Sequence, residues 1–204
     1  MFASSSIIQD IIAMQKAGLA SLAFFYCDFR EDQKKNLRGL LSSLLLQLCH
    51  QSDSYSDTLL KFYLDHAEGS RHPSNDELAR CLTDLLKLPG HAPVYMIVDA
   101  LDECVNTSAV RSPRAKVLNL IEELIKSQFP NLRICVTSRP ETDIKDVLDT
   151  LASRSVSLHN EDGQNKDIED YIKSVIYAHP KNRRWKAEHK RLVIDFLTEK
   201  ADGM

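Results

Sequence analysis

An α/β sandwich built on a parallel sheet is the architecture that this 204-residue sequence predicts. Short apolar runs rich in Val, Ile, Phe and Tyr alternate with amphipathic stretches at helical spacing, a pattern that makes crossover units with parallel strands. The run VYMIVD, Val94 to Asp99, places five apolar residues in succession before an acid. That fits a central parallel strand buried on both faces better than a half-exposed one.

The elements follow in order. Ile7, Ile8, Ile11 and Ile12 recur at helical spacing with Ser6 ahead and Gly18 behind, so the chain begins on a helix. Leu22 to Phe29 is aromatic and apolar and reads as a strand. Leu37, Leu40, Leu41, Leu44, Leu45 and Leu48 form the stripe of a long core-facing helix. Tyr55 to His66 is a further helix, and Ala67 to Pro73 a loop. Ser74 with Glu77 makes a capping box ahead of Leu78, Cys81, Leu82, Leu85 and Leu86, and Pro89 with Gly90 stops that helix. After the strand at 94–99, Ser112 caps a helix with Pro113 at its first position and Val117, Leu120, Ile121, Leu124 and Ile125 as its buried stripe. Leu132 to Thr137 is the next strand, 141–151 a helix, and Ser155 to Leu158 a weaker strand, with a break at Gly163. Two more stripes follow, Ile168, Tyr171, Ile172, Val175 and Ile176, then Trp185, His189, Leu192, Val193, Phe196 and Leu197.

Composition narrows the setting. With 43% hydrophobic and 27% charged residues the chain suits one domain of medium size and the start of a second. A net charge of -3 gives no general reason to bind nucleic acid or an anionic membrane. The five cysteines, Cys27, Cys49, Cys81, Cys104 and Cys135, include no C-x-x-C pair, which predicts reduced thiols and no disulfide framework. No apolar run approaches the roughly 20 residues that span a bilayer, and no secretory signal opens the chain. A cytoplasmic protein is expected.

The chemistry sits at strand ends, because ligands of parallel α/β sheets bind beyond the strand carboxyl termini. Asp99 ends one strand and Asp102 and Glu103 follow it; Arg139 follows the other. On its own, Val94 to Asp99 is equally an apolar strand ending in a polar loop. A carboxylate end beside an arginine end is more specific, since carboxylates hold metal ions and a guanidinium reaches phosphate.

These stretches, VDALDE and CVTSRPE, together with LAFFYCDF and the Leu-rich helix, resemble the NACHT class of signalling NTPases, close to the nephrocystin-type N-terminal domains of fungal NLR-like proteins. The resemblance covers nearly the whole chain. It implies a three-layer αβα P-loop NTPase-like sheet over 1–160 and the start of a helical subdomain over 161–204. It also implies that Asp99 is the Walker B acid directed to Mg2+ through water, that Asp102 and Glu103 polarise the attacking water, and that Arg139 is the γ-phosphate sensor. ATP or GTP with Mg2+ would be the cofactors, and other NACHT or NLR-like chains the partners, in homo- or hetero-oligomers.

One departure matters. The family's phosphate loop, G-x-x-x-x-G-K-[ST], is absent from these residues: the six glycines are isolated and none precedes Lys. MFASSSIIQDI is similar to the helix that follows that loop, so the expectation is a truncated product or fragment lacking the family's first strand, with weak or no nucleotide binding. Ser4, Ser5 and Ser6 read as ordinary helix-start residues. The alternative is a nucleotide-independent interaction and oligomerisation module. His66 and His72 lack a Cys pair and read as solvated loop histidines rather than zinc ligands. Cys104 reads as a small semi-buried residue rather than a nucleophile, and the basic stretch from Lys181 to Arg191 as a solvated amphipathic helix.

Overall fold

Three parallel strands, β1 (Ser21–Tyr26), β2 (Val94–Asp99) and β3 (Leu132–Val136), form a sheet in the order β1-β2-β3, with Phe24 opposite Ile97 and Ile97 opposite Cys135. This computed structural model describes residues 2–106, 112–157, 162–179, 182 and 184–201. Among them are eight α-helices: α1 (Phe2–Lys16), α2 (Leu37–Cys49), α3 (Asp53–Asp65), α4 (Asn75–Lys87), α5 (Pro113–Lys126), α6 (Thr142–Leu151), α7 (Asp162–Ala178) and α8 (Ala187–Ala201). They divide into two compact units, one up to Ala152 and one from Ser153.

The sheet separates two cores because successive strand residues face opposite ways. Leu22 and Ile97 meet Ile8 and Ile11 of α1 on one face. On the other, Ala23, Phe25, Met96 and Val98 join the leucines of α2, Leu82 and Leu85 of α4, and Val117 and Ile121 of α5. β2 is buried along most of its length, as its unbroken apolar run requires. The stripe of α2 is complete, with Leu40, Leu41, Leu44, Leu45 and Leu48 all buried.

The sheet's outer edges differ. Along β1, one side chain of α2 and one from the turn just after it take the part of a neighbouring strand: Gln47 Oε1 accepts from Phe24 N–H at 3.0 Å and Gln51 Oε1 from Leu22 N–H at 2.9 Å. Their amide nitrogens donate back to the carbonyls of Phe24 and Leu22, at 2.7 and 2.6 Å. Among the described residues β3 pairs only with β2 and has no such glutamine ladder, Arg133 alone turning back to the carbonyls of Pro130 and Leu132.

Local signals set the boundaries. Both halves of the Ser74–Glu77 capping box are present, and the Ser112 hydroxyl accepts from Ala115 N–H at 3.1 Å ahead of Pro113. Gly18 and Gly90 adopt left-handed φ values of +71° and +78° past the ends of α1 and α4.

Several expectations need correction. β1 stops at Tyr26 rather than Phe29, because Asp28 folds back to accept from Arg30 N–H at 2.9 Å and Phe29 is left exposed. Residues 155–157 form no strand: Val156 is exposed between two serines, with no burial to fix an extended segment, and Leu158 lies outside the described residues. Gly163 lies in the first turn of α7 instead of marking a break.

In α8 the buried residue is Ile194, while Leu192, Phe196 and Leu197 are exposed and Trp185 precedes the helix. The stripe is rotated because Lys190, whose ammonium lies 4.8 Å from the Tyr177 ring centroid, occupies the side facing α7. Apolar periodicity does not count such a residue. His66 is buried rather than solvated. Its Nδ1 donates to the Phe62 carbonyl at 2.7 Å, and its Nε2 lies 3.4 Å from Glu77.

Two predictions follow from this packing. Helix propensity favours Ala over Gly by about 1 kcal/mol, yet a Cβ at Gly39 would lie 1.6 Å from the Gln33 carbonyl oxygen. Gly39→Ala is therefore expected to destabilise the fold by about 1–3 kcal/mol, read as a lower urea midpoint. The Glu77 carboxyl is held down to about 2 by the Ser74 N–H, then by the Ser74 hydroxyl and Arg71. Its contribution is present above the ordinary 4.5 and is lost as pH falls toward about 2, so Glu77→Gln should flatten the acid limb of the stability profile in that window.

Candidate functional site

Because β2 and β3 run parallel and in register, their carboxyl ends reach the same edge of the sheet. Asp99 ends β2 with only 4% of its surface exposed. Thr137, the residue after β3, joins the two ends. Its hydroxyl donates to Asp99 Oδ1 and accepts from Ala100 N–H at 3.0 Å. Its N–H donates to the Val98 carbonyl and its carbonyl accepts from Leu101 N–H, both at 2.9 Å.

Ala100 then turns the chain with φ 56° and ψ 49°, in the left-handed region. For an L-residue that conformation costs roughly 1–2 kcal/mol, and a β-branched side chain would raise it further, which accounts for a small residue directly after the acid. The turn starts a 3-10 segment, Leu101–Glu103, that carries the next two acids back across the strand end.

Asp102 meets Arg139 there. Asp102 Oδ1 accepts from the Arg139 backbone N–H at 3.0 Å, and Oδ2 lies 3.5 Å from Arg139 Nε. The two side chains differ in exposure, 10% for Asp102 and 82% for Arg139. The structure thus gathers Asp99, Asp102 and Arg139 at one edge. Glu103 is half-buried beside them; its N–H donates to the Ala100 carbonyl at 2.9 Å, and its carboxylate makes no hydrogen bond or ion pair among the described residues. Ser4 is buried within α1, whereas Ser5 and Ser6 are exposed on it.

Two further residues shape this edge, and neither was assigned a role of its own from the sequence, although Thr137 lies within the CVTSRPE motif. Thr137 is one. The other is Arg114, a cation almost wholly buried in the first turn of α5. Its Nε donates to the Cys104 carbonyl at 3.0 Å, Nη2 to the Asp102 carbonyl, and Nη1 to Glu141 and to Asp143, the latter at 3.3 Å. Arg114 thereby ties the loop that follows β2 to the start of α6, which follows the Arg139 loop. A readable signal existed: a cation in the first helical turn opposes the helix dipole and implies another task.

Beneath the loop, the Cys27 and Cys104 sulfurs are 3.5 Å apart and both thiols are buried, Cys104 fully rather than partly. The hydrogen bond with Cys104 and burial push the Cys27 thiol far up, whereas the bond with Cys27 and the Arg114 charge draw the Cys104 thiol down. Elsewhere, an apolar groove of about 500 Å³ between α2 and α3 includes Leu46, Leu59, Phe62 and His66 in its walls; none of the strand-end residues lines it.

The donor set at the edge suits a hard cation only in part. Among the described residues no three His, Cys, Asp or Glu side chains converge as a metal cage. Mg2+ keeps several waters and is commonly held by one or two carboxylates plus phosphate oxygens, and the Asp99 carboxylate beside a hydroxyl fits that use.

Removing the guanidinium should expose how much the edge depends on it. Arg114→Met would strand two buried carbonyls and two carboxylates, with an expected loss of about 3 kcal/mol in urea unfolding. Arg114→Lys keeps the charge but not the planar fork and should recover less than half of that.

No solved structure matches the chain. Vegetative incompatibility protein HET-E-1 of Podospora anserina is 26% identical over 202 residues, covering 97% of this chain and 14% of the relative. The family described as "Nephrocystin 3, N-terminal" matches residues 2–139, which include α1, all three strands and the loop ending at Arg139. The chain belongs to this nephrocystin 3 N-terminal family, a NACHT-related domain.

Proposed function

We propose that this chain is a stretch of a NACHT-type nucleotide switch, in which ATP or GTP with Mg2+ at the sheet edge controls assembly with other NACHT or NLR-like chains. The observation that carries the reading is the union of two strand ends, with Asp99 and Asp102 from one side and Thr137 and Arg139 from the other. In this reading Asp99 is the Walker B acid, directed to Mg2+ through water. Bound Mg2+ would neutralise phosphate charge. Arg139 is the sensor of the terminal phosphate: its guanidinium is exposed and only 3.5 Å from Asp102 through Nε, a contact worth about 0–1 kcal/mol, so it can exchange that partner for a phosphate.

The two acids of the turn divide the remaining work. Asp102 has both oxygens engaged by Arg139 and serves to fix the sensor loop. Glu103, with no such partner among the described residues, is the better group to orient an attacking water. A relative named for vegetative incompatibility suggests a signalling setting for the larger protein.

These 204 residues contain no G-x-x-x-x-G-K-[ST], so nucleotide binding by this stretch alone is weak. We place the family's first strand against the outer edge of β3. The contrast between the glutamine-covered β1 edge and β3 supports that placement. In the same reading, 1–160 is the NTPase core and 161–204 opens the helical subdomain.

Titration with a fluorescent ATP analogue and Mg2+ tests the reading. Binding by this chain alone should be millimolar or weaker. On mixing with a complete NACHT protein, any added turnover that uses this edge should fall roughly 100-fold with Glu103→Gln and vanish with Arg139→Ala. Micromolar binding that Asp99→Ala leaves intact would refute the site. Association with a NACHT partner that is robust and insensitive to nucleotide would favour the interaction module instead.

A further inference from the structure

We propose that Cys27 and Cys104 form a redox-active dithiol, which closes to an intramolecular disulfide under a peroxide oxidant beneath the loop carrying Asp102 and Glu103. The two residues are 77 positions apart in sequence, yet their sulfurs touch at 3.5 Å in the main core. A disulfide bond is about 2.05 Å long, so closure needs an approach of roughly 1.5 Å. No other pair of cysteines is in hydrogen-bond contact among the described residues; Cys49 faces the Tyr55 carbonyl, and Cys135 packs with the core on the α1 side of the sheet.

Both backbones are held where the thiols meet. Cys27 N–H donates to the Asp99 carbonyl at 2.9 Å, and the Cys104 carbonyl accepts from Arg114 Nε at 3.0 Å. One sulfur is therefore anchored to the end of β2 and the other to the Arg114 clamp. The encounter is a fixed feature of the fold, and shortening it would pull the acidic turn toward the end of β1.

The chemistry balances with hydrogen peroxide as the two-electron oxidant. The Cys104 thiolate, beside the guanidinium, attacks one peroxide oxygen; the O–O bond breaks, and hydroxide leaves and takes up a proton as water. Cys27 sulfur then attacks the sulfenic sulfur of Cys104, the S–S bond forms, and the departing hydroxide takes the thiol proton as a second water. Two thiols and one peroxide give one disulfide and two waters. A dithiol reductant reverses the change.

The test uses the 204-residue chain, folded, treated with hydrogen peroxide, quenched with acid and alkylated before digestion without reductant. The expected product is a peptide linking Cys27 to Cys104, lighter by two hydrogens than the two reduced peptides. Thiols titratable in denaturant should fall from five to three and return to five with dithiothreitol. Cys27→Ser and Cys104→Ala should each hold four titratable thiols before and after peroxide. Five thiols surviving in the wild type, separate oxidised acids at Cys27 and Cys104, or links to other cysteines would overturn the proposal. So would a link that forms only in denaturant.

Discussion

A guanidinium taken out of water must find acceptors for its donors, and at Arg114 that requirement organises the whole carboxyl edge of the sheet. The acceptors come from two segments: the carbonyls of Asp102 and Cys104, and the carboxylates of Glu141 and Asp143. The carbonyls belong to the turn after β2 and the carboxylates to the segment after β3. Neither loop can relax without stranding a buried charge. Thr137 makes the matching connection nearer the strands, so the two loops are joined at two levels, by a neutral hydroxyl close to the sheet and by a charge further out. What results is a pair of loops whose relative position is set before any ligand arrives, as electrostatic recognition of a phosphate would require.

Rigidity is unequally distributed across that edge. Asp99 and Arg114 are buried, Asp102 nearly so, and the Arg139 side chain is largely exposed although its backbone N–H is held by Asp102. A held backbone with an exposed guanidinium is the arrangement that the proposed sensor role would use. The Cys27–Cys104 contact lies under the same turn, on the core side, so any change there would act on the acids through their backbone rather than through the solvent-facing surface.

Much of this was legible in the sequence because the signals were physical and local. β2 is an uninterrupted apolar run, the α2 leucines repeat at helical spacing, and Ser74 with Glu77 and Ser112 with Pro113 are start signals with a known mechanism. Asp99, Asp102 and Arg139 could be grouped because parallel strands deliver their ends to one edge. What remained hidden depends on contacts remote in sequence. Arg114 looks like any surface cation until its acceptors, up to 29 positions away, are known. His66 looks like a loop residue until Phe62 and Glu77 close around it. The α8 stripe was misplaced because the Lys190 ammonium lies over the Tyr177 ring, a contact that apolar periodicity does not register.

The two edges of the sheet carry the same lesson to the level of the fold. A strand edge with unpaired N–H and C=O groups recruits another strand unless something covers it. On β1 the cover is specific: Gln47 on α2 and Gln51 in the turn just past it each donate to and accept from one strand residue, reproducing a ladder with side-chain amides. The cover depends on α2 lying alongside β1, so the Leu stripe that buries α2 also finishes that side of the sheet. Among the described residues β3 has no equivalent cover, and beside it a groove of about 330 Å³ runs between α1 and the strand, with Ile7, Ile11, Tyr95 and Cys135 among its walls. The groove leaves apolar surface next to an unladdered edge, a combination that a further strand with an apolar face would satisfy at once. The Arg139 loop leaves from that same strand, so a strand added at this edge would stand next to the residue proposed above as the phosphate sensor.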